Sequence, residues 1–484
     1  MAAEVQNVTK EVFLTACRTA GWFIRHKVSV ATPTPGEALR MEEGQEVHRR
    51  ARTLFPQGIS GQDRTTAAAA KKTTQLMADP SVTTIFEATF HVDGYSARAD
   101  VIQRVAGAWH LVEIKSDVED KPELVDDLAY TAMVAVRCGI RIAKASLLLL
   151  SKEFRLGMGS DKLFVMIDHT SDMEQKVRNF LLLWDDVSSK TKQPNRPSPN
   201  LMLACRSCPF FEADCLGRGI NDHIFDLPRL SQKKFDELAA EGVVTIHEIP
   251  AGSELTDTQE RVRRSVISGQ PSIAGSLAGE LAAIVMPAYY LDFETVMTAL
   301  PLYPAIAPYT QIPTQYSVHV CSNVGKVTGH REFLADPARD CRRELAQQLI
   351  TDLGTKGSVI SYSSFEKTTI RALAAHFPDL KNPLAVIVDR IVDLEAILRR
   401  GYYHPGFHGR TSIKVTLPVM VPNMSYEGLE IGDGDTAVAM FARMAKGQVE
   451  KRETERIRKA LLAYCKQDTL AMVKLHEQLT AAIA

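Results

Sequence analysis

The sequence predicts an α/β fold divided into two domains, and three observations predict it. Short apolar strands such as AWHLVEI and YYLDFETV alternate with segments whose apolar residues recur at helical spacing. A polar, proline-containing stretch at 188–200, SSKTKQPNRPSPN, reads as a surface loop unable to hold a helix or a central strand. Near residue 280 strand and helix signals restart and alternate to the C-terminus. These breaks place one domain at 1–226, a helical connector at 227–280 and a second domain at 281–484.

In the first domain, TKEVFLTACRTAGWFIRHK puts Cys17 ahead of the first helix. EEGQEVHRRARTLF predicts a helix with Val47, Ala51 and Leu54 on an apolar stripe and His48 beside it. ARADVIQRVAGAWHLVEIKSD predicts two strands around a tight turn at Ala106 and Gly107. DDLAYTAMVAVRCG opens a further helix carrying Asp127 and Tyr130. The connector has Leu230, Phe235 and Leu238 at helical spacing, ended by Gly242. In the second domain AAIVMPAYYLDFETV predicts a strand, and GSVISYSSFEKTTIRALAAHF passes from strand to helix with Glu366 at the junction. RKALLAYCKQDTLAMVKLHEQL predicts a helix packed through Leu461, Cys465, Met472, Leu475 and Leu479.

Composition narrows the setting. Lys and Arg total 57 against 58 Asp and Glu, so no global positive field points to nucleic acid and any basic groove must be local. Eight cysteines are sparse for a secreted disulfide scaffold of this length, and no charged-then-apolar leader opens the chain. No apolar run approaches the roughly 20 residues of a membrane helix. The expectation is a reducing cytoplasm and no membrane partner. There, CRSCPFFEADC at 205–215 reads as a set of metal ligands.

Two acidic constellations carry the chemistry. With Ala106 and Gly107 as turn residues, Asp100 falls directly across from Glu113, and Lys115 shares the face of Glu113. Opposed carboxylates repel unless a divalent cation separates them, and Mg²⁺ or Mn²⁺ with a neighbouring lysine is what phosphodiester hydrolysis requires. A solvated hairpin face is the alternative. In the second domain Asp292 and Glu294 interrupt an apolar strand at i and i+2, and Tyr464 and Asp468 lie one helical turn apart. Charges on an apolar strand are costly to bury unless paired or metal-bound.

The ordered set Gly44, His48, Glu87, Asp100, Glu113-x-Lys115 and Tyr130 resembles the PD-(D/E)XK nucleases of the RecB type. The resemblance implies a restriction-endonuclease-like fold, metal ligation by His48, Glu87, Asp100 and Glu113, and catalytic roles for Glu113, Lys115 and Tyr130. Where that group has glutamine three residues before the tyrosine, this chain has Asp127. The subgroup with an iron–sulfur cluster implies a [4Fe-4S] clamp on Cys17, Cys205, Cys208 and Cys215, closing the domain's two ends. Structural Zn²⁺ is the alternative on ligand softness, and Cys17 as a small buried apolar residue is the other.

Asp292, Glu294, Glu366 and Asp468 together resemble the DEDD exonucleases of the RNase H-like fold, in the subclass with a Tyr-x-x-x-Asp third motif. The resemblance implies two Mg²⁺ or Mn²⁺ ions on these acids, with Tyr464 holding the attacking water. That family has aspartate where Glu366 stands, and Asp393 is the reserve ligand. GFHGRTSIKVTLPVM offers Arg410, Ser412 and Lys414 for a phosphate backbone or a terminal nucleotide, or else a basic surface loop. In order, LDFET, SYSSFEKT, TSIKVTLP and YCKQDTLAMV make the chain similar to an uncharacterised bacterial family that fuses a RecB-like, cysteine-clamped nuclease to a DEDD exonuclease.

The expectation is therefore a two-nuclease hydrolase acting on DNA single strands or ends, in repair or antiviral defence. RNA processing, and a nucleic-acid-binding scaffold with one or both sites inactive, are the alternatives. A protein partner such as a helicase is compatible with all three.

Overall fold

The computed structural model describes residues 5–26 and 32–484. It is a mixed α/β chain in two compact units. One comprises the chain to Leu216 together with Thr298–Thr310, and the other comprises Gly217–Met297 and Gln311–Ala484. The connector residues thus group with the second unit, and a short segment from beyond residue 281 groups with the first. Among the described residues no helix is long and apolar enough to cross a membrane.

The first unit is built on a six-stranded sheet in the order β1 (Ile59–Ser60), β2 (Thr84–Val92), β3 (Tyr95–Val105), β4 (Ala108–Ile114), β5 (Ile142–Leu150) and β6 (Phe164–Asp168). Strands β2, β3 and β4 are antiparallel neighbours, whereas β4 and β5 run parallel. Two tight hairpins set the register. Asp93 and Gly94 take φ of 49° and 78° between β2 and β3, and Ala106 and Gly107 take 45° and 75° between β3 and β4. Positive φ at both turn residues matches the right-handed twist of the flanking strands. The β3–β4 register, with Val101 paired to Val112 and Val105 to Ala108, is the one the sequence predicts.

The helices of this unit include α1 (Arg18–Arg25), α2 (Pro35–Ala51), α3 (Thr66–Ala78), α4 (Pro122–Arg137), α5 (Thr170–Leu181) and α6 (Trp184–Lys192), and a single helical turn at Lys10–Phe13 comes before Cys17, which is therefore not ahead of the first helix. Helix α4 connects β4 to β5 and buries Leu128, Ala132 and Met133 against Leu111 and Leu147. The opposite face packs Val101, Val112 and Ile114 against Val47 and Ala51 of α2. Alternation along β3 and β4 therefore turns Asp100 and Glu113 toward the α4 face. Helix α2 starts at a Thr34–Glu37 capping box with Pro35 in its first turn.

Two local expectations need correction. Leu54 does not join the α2 stripe: the helix tightens to a 3₁₀ turn at Arg52–Leu54, leaving Leu54 38% exposed while Phe55 is buried. Burying the ring gains roughly 2 kcal/mol more than leaving it in water. The 188–200 stretch is not all loop either. Helix α6 runs through its first residues to Lys192, because Val187 and Thr191 face the core, and it ends where Gln193 turns extended before Pro194.

The second unit holds a five-stranded sheet in the order β9 (Lys326–Leu334), β8 (Ile312–Asn323), β7 (Ala288–Val296), β10 (Ser358–Ser361) and β11 (Ile391–Asp393). Strand β8 is antiparallel to β7 and β9, and β7, β10 and β11 are parallel. Its helices include α7 (Arg342–Leu353), α8 (Phe365–His376), α9 (Leu394–Gly401), α10 (Ile413–Met420), α11 (Gly434–Ala445) and α12 (Lys451–Ala481). One sheet face buries Leu291, Phe293, Tyr316 and Val318 against α7 and α8. The other carries Asp292 and Glu294 and is covered by α12, which buries Leu461, Cys465, Met472, Leu475 and Leu479. Where the sequence places an apolar run at 413–420, the chain forms α10 with Pro418 inside it.

Candidate functional site

In the first unit three carboxylates form a row across adjacent strands. The flanking pairs Phe86–Val101 and Ala88–Ala99 put Glu87 opposite Asp100, and the β3–β4 register puts Asp100 opposite Glu113. Helix α2 brings His48 Nδ1 to 3.6 Å from Asp100 Oδ1. Ligand atoms of His48, Glu87 and Asp100 all lie within 4.8 Å of one another. Asp100 accepts the backbone N–H of Ile114 at 2.8 Å. Lys115 Nζ bridges Glu113 Oε1 at 3.1 Å and Asp127 at 2.6 Å, and Asp127 also accepts from Lys10 at 3.0 Å. The cleft over this row measures ≈ 650 Å³ and is also lined by the cations Lys10, Arg64 and Arg98.

The electrostatics favour a cation here. Burial pushes the Asp100 carboxyl well above the usual carboxylate range, and the Glu113 charge adds to it. Burial pushes the His48 imidazole down, so it stays neutral and able to ligate. Lys115 is buried too, but Glu113 and Asp127 outweigh that cost and keep it charged. Glu113 Oε2 is buried without a hydrogen-bond partner, an orphan acceptor in a lining of Asp, Glu and His. That donor set fits a hard divalent ion.

Two expected members of this site have other engagements. Both oxygens of Glu87 meet guanidinium groups, Oε1 that of Arg52 and Oε2 that of Arg98 at 2.8 Å, and Glu87 itself adopts φ of 53°. The Tyr130 hydroxyl lies 2.7 Å from the Val8 carbonyl and 3.1 Å from that of Ser96. It ties α4 to the N-terminal segment, although the residue also lines the cleft.

The second unit concentrates acid more heavily. Ligand atoms of Asp292 and Glu294 on β7 and of Asp468 on α12 lie within 4.8 Å of one another. Glu366, in the first turn of α8, stands outside that group but raises the pKa of both Asp292 and Glu294 by its charge. Burial is the main cause of every shift here. It pushes Asp292 far up, Glu294 up to about 8, Glu366 up to about 7 and Asp468 up to about 6. For Asp468 the Tyr426 and Tyr464 phenols and the Lys414 charge offset part of the rise by favouring its ionised form. Acids gathered at such cost fit divalent cations, whose charge would reverse these shifts.

Several contributors lie beyond what local spacing shows. The Tyr426 hydroxyl donates to Asp468 Oδ1 at 2.5 Å from 42 residues away. The buried Cys465 thiol lies 3.5 Å from Asp292 Oδ2. Lys414 Nζ lies 5.7 Å from the ring centre of Tyr426 and 5.4 Å from that of Tyr464. Of its expected companions, Ser412 begins α10 without a side-chain capping bond, and the charge of Arg410 acts on Asp226. Asp393 caps α9 by accepting the Ala396 N–H at 2.9 Å, and its charge raises Glu366.

The four predicted cysteines gather in the first unit. Cys17 is the N-cap of α1, its sulfur accepting the Ala20 N–H at 3.3 Å. Cys17, Cys208 and Cys215 pack around Ala20, Phe23 and Phe210. Burial raises the Cys205 thiol, and the charges of Cys17, Cys208 and Cys215 push it the same way. Trp22 Nε1 donates to the Gln193 carbonyl and Thr19 to that of Pro197, so α1 is also stitched to the approach to the cluster. Among the described residues, the ligand groups that converge within 4.8 Å contain no cysteine. Sulfurs around one tetrahedral zinc would be about 3.8 Å apart, given Zn–S bonds near 2.3 Å.

Residues 289–412 match the model of a domain of unknown function, DUF2779. That span contains Asp292, Glu294, Glu366 and Asp393 and ends before Lys414, Tyr426, Tyr464 and Asp468. The chain is also similar to an uncharacterised protein of Mycoplasma genitalium, MG366, at 24% identity over 207 residues. The similarity covers 38% of this chain and 31% of the relative's length.

Proposed function

We propose that this protein is a metal-dependent nuclease with two active sites that hydrolyse DNA phosphodiester bonds. The observation that carries this reading is the pair of carboxylate clusters, one on the main sheet of each unit, each destabilised by burial and by its own charge. The topology supports the same reading. In the first unit a helix, three antiparallel strands, helix α4 and parallel strand β5 are what a PD-(D/E)XK domain expects. In the second, the order β9-β8-β7-β10-β11 with β8 alone antiparallel is what an RNase H-like exonuclease expects.

In the first site His48, Asp100 and Glu113 would hold Mg²⁺ or Mn²⁺, with Glu87 at the edge under its two arginines. In the second, Asp292, Glu294, Asp468 and Glu366 would do so. The ions, when bound, supply a nucleophilic water and stabilise the leaving oxygen. Lys115 faces the cleft with its charge held by Glu113 and Asp127, suited to neutralising charge on a phosphate. Tyr464, one helical turn before Asp468, favours the ionised form of that carboxylate. The cysteine group would hold a [4Fe-4S] cluster as a clamp rather than as a reacting centre, with structural Zn²⁺ as the alternative ion for the same thiolates.

Anaerobically purified protein incubated with Mn²⁺ and end-labelled single-stranded DNA or RNA tests the reading. Shortened DNA products that EDTA suppresses are expected. DNA binding without shortening would replace the enzyme by a scaffold, and shortening of RNA alone would replace the substrate.

A further inference from the structure

We propose that Tyr426 and Lys414 complete the second site as a phosphate-facing clamp: Tyr426 positions Asp468, and Lys414 binds the phosphate of the terminal nucleotide. The proposal rests on the exonuclease reading of that site and names residues and a ligand class that the acidic motifs do not include.

Four observations converge on it. Asp468 accepts a hydrogen bond from the Tyr426 phenol, on the segment between α10 and α11, while the Tyr464 phenol one turn before it on α12 also favours its ionised form. A hydrogen bond from a distant segment restricts the rotamers of that carboxylate, which is what a fixed metal ligand needs. Lys414 is exposed, yet its ammonium is held over both tyrosine rings and donates to the Gly432 carbonyl at 3.3 Å. The segment is also tied down independently of the acids. Gln467 Nε2 donates to the Ser425 carbonyl at 3.0 Å, and the Tyr362 hydroxyl meets Thr416 Oγ1 at 2.8 Å and the Thr411 carbonyl at 2.9 Å.

Charge balance gives Lys414 its role. Four carboxylates would be neutralised by two divalent ions, leaving no positive charge for an incoming phosphate. Lys414 is a cation whose field reaches both Glu294 and Asp468. Its solvent-facing ammonium suits the phosphate of a terminal nucleotide, whose hydrolysis releases a nucleoside monophosphate. Gly434 stands close by, its missing Cβ 3.9 Å from both Glu294 Oε2 and the Tyr464 hydroxyl.

The test uses the full chain, Mn²⁺ and thymidine monophosphate as the probe, with Lys414→Gln, Lys414→Arg and Tyr426→Phe. Calorimetry should show Mn²⁺ affinity of Lys414→Gln within about twofold of the parent, monophosphate affinity about tenfold weaker, and a salt slope shallower by about one. Lys414→Arg should restore most of the loss. Tyr426→Phe should weaken Mn²⁺ at this site and lower kcat with KM little changed. Unchanged monophosphate affinity in Lys414→Gln, in a parent that binds the probe and cleaves DNA, overturns the clamp alone. A parent that neither binds the probe nor cleaves overturns the clamp and the exonuclease reading together.

Discussion

Asp100 and Glu113 occupy opposite positions on β3 and β4, and of the two only Glu113 forms an ion pair with Lys115. Burial and their mutual repulsion are the cost of the first site, and a divalent ion would relieve it. Glu113→Gln should therefore raise the metal-free melting temperature, by about 1 kcal/mol of stability, while lowering cleavage from this site by about 100-fold or more. Calorimetric melts with and without Mn²⁺, beside a cleavage assay, check both. A variant less stable than its parent without metal would assign Glu113 a structural ion pair instead.

At the second site the pH dependence has a definite sign. Glu294, Glu366 and Asp468 have folded-state pKa values raised to about 8, about 7 and about 6. The metal-free folded protein therefore holds protons that the unfolded chain releases above pH ~4.5, and stability falls as pH rises from there through 8. Mn²⁺ affinity, which needs the ionised acids, should rise over the same window. Glu294→Gln should flatten the stability profile and gain about 2 kcal/mol at pH 8 without metal. A pH-independent Mn²⁺ affinity would contradict this.

Tyr130 separates a structural from a catalytic role. Its hydroxyl meets the Val8 and Ser96 carbonyls inside the core, so Tyr130→Phe should cost about 1 kcal/mol of stability. Mn²⁺ affinity and turnover per folded molecule should stay within about twofold of the parent. A larger loss of turnover at unchanged stability would return Tyr130 to the catalytic set.

The cysteine group makes a spectroscopic prediction. Protein purified without oxygen should be brown and carry about four irons and four sulfides per chain. Cys205→Ser should remove the colour and lower the melting temperature of the first unit, since its two ends lose their clamp. A colourless protein with one zinc would replace the cluster by a structural ion.

Much of this arrangement was legible because it depends on short-range periodicity. The two-residue turn at Ala106 and Gly107 dictates the Asp100–Glu113 register, and strand alternation alone separates Asp292 and Glu294 from the core-facing Leu291 and Phe293. Tyr426 was not legible, because no local pattern links it to an aspartate 42 residues later. Nor was the Lys10–Asp127 pair, whose partners are 117 residues apart. The polar end of α6 was misread because two inward residues, Val187 and Thr191, suffice to hold a helix that composition alone assigns to a loop. Tertiary contacts, which sequence spacing does not encode, decided these cases.

The central claim is that each unit carries its own metal-dependent cleavage site, and the most direct measurement compares products from single-stranded DNA labelled at either end. Parent, Lys115→Ala, Asp292→Ala and the double variant would be assayed with Mn²⁺. Each single variant should lose a different product ladder and the double should leave the substrate intact. A single ladder that survives both substitutions, or intact substrate with the parent protein, would contradict the account.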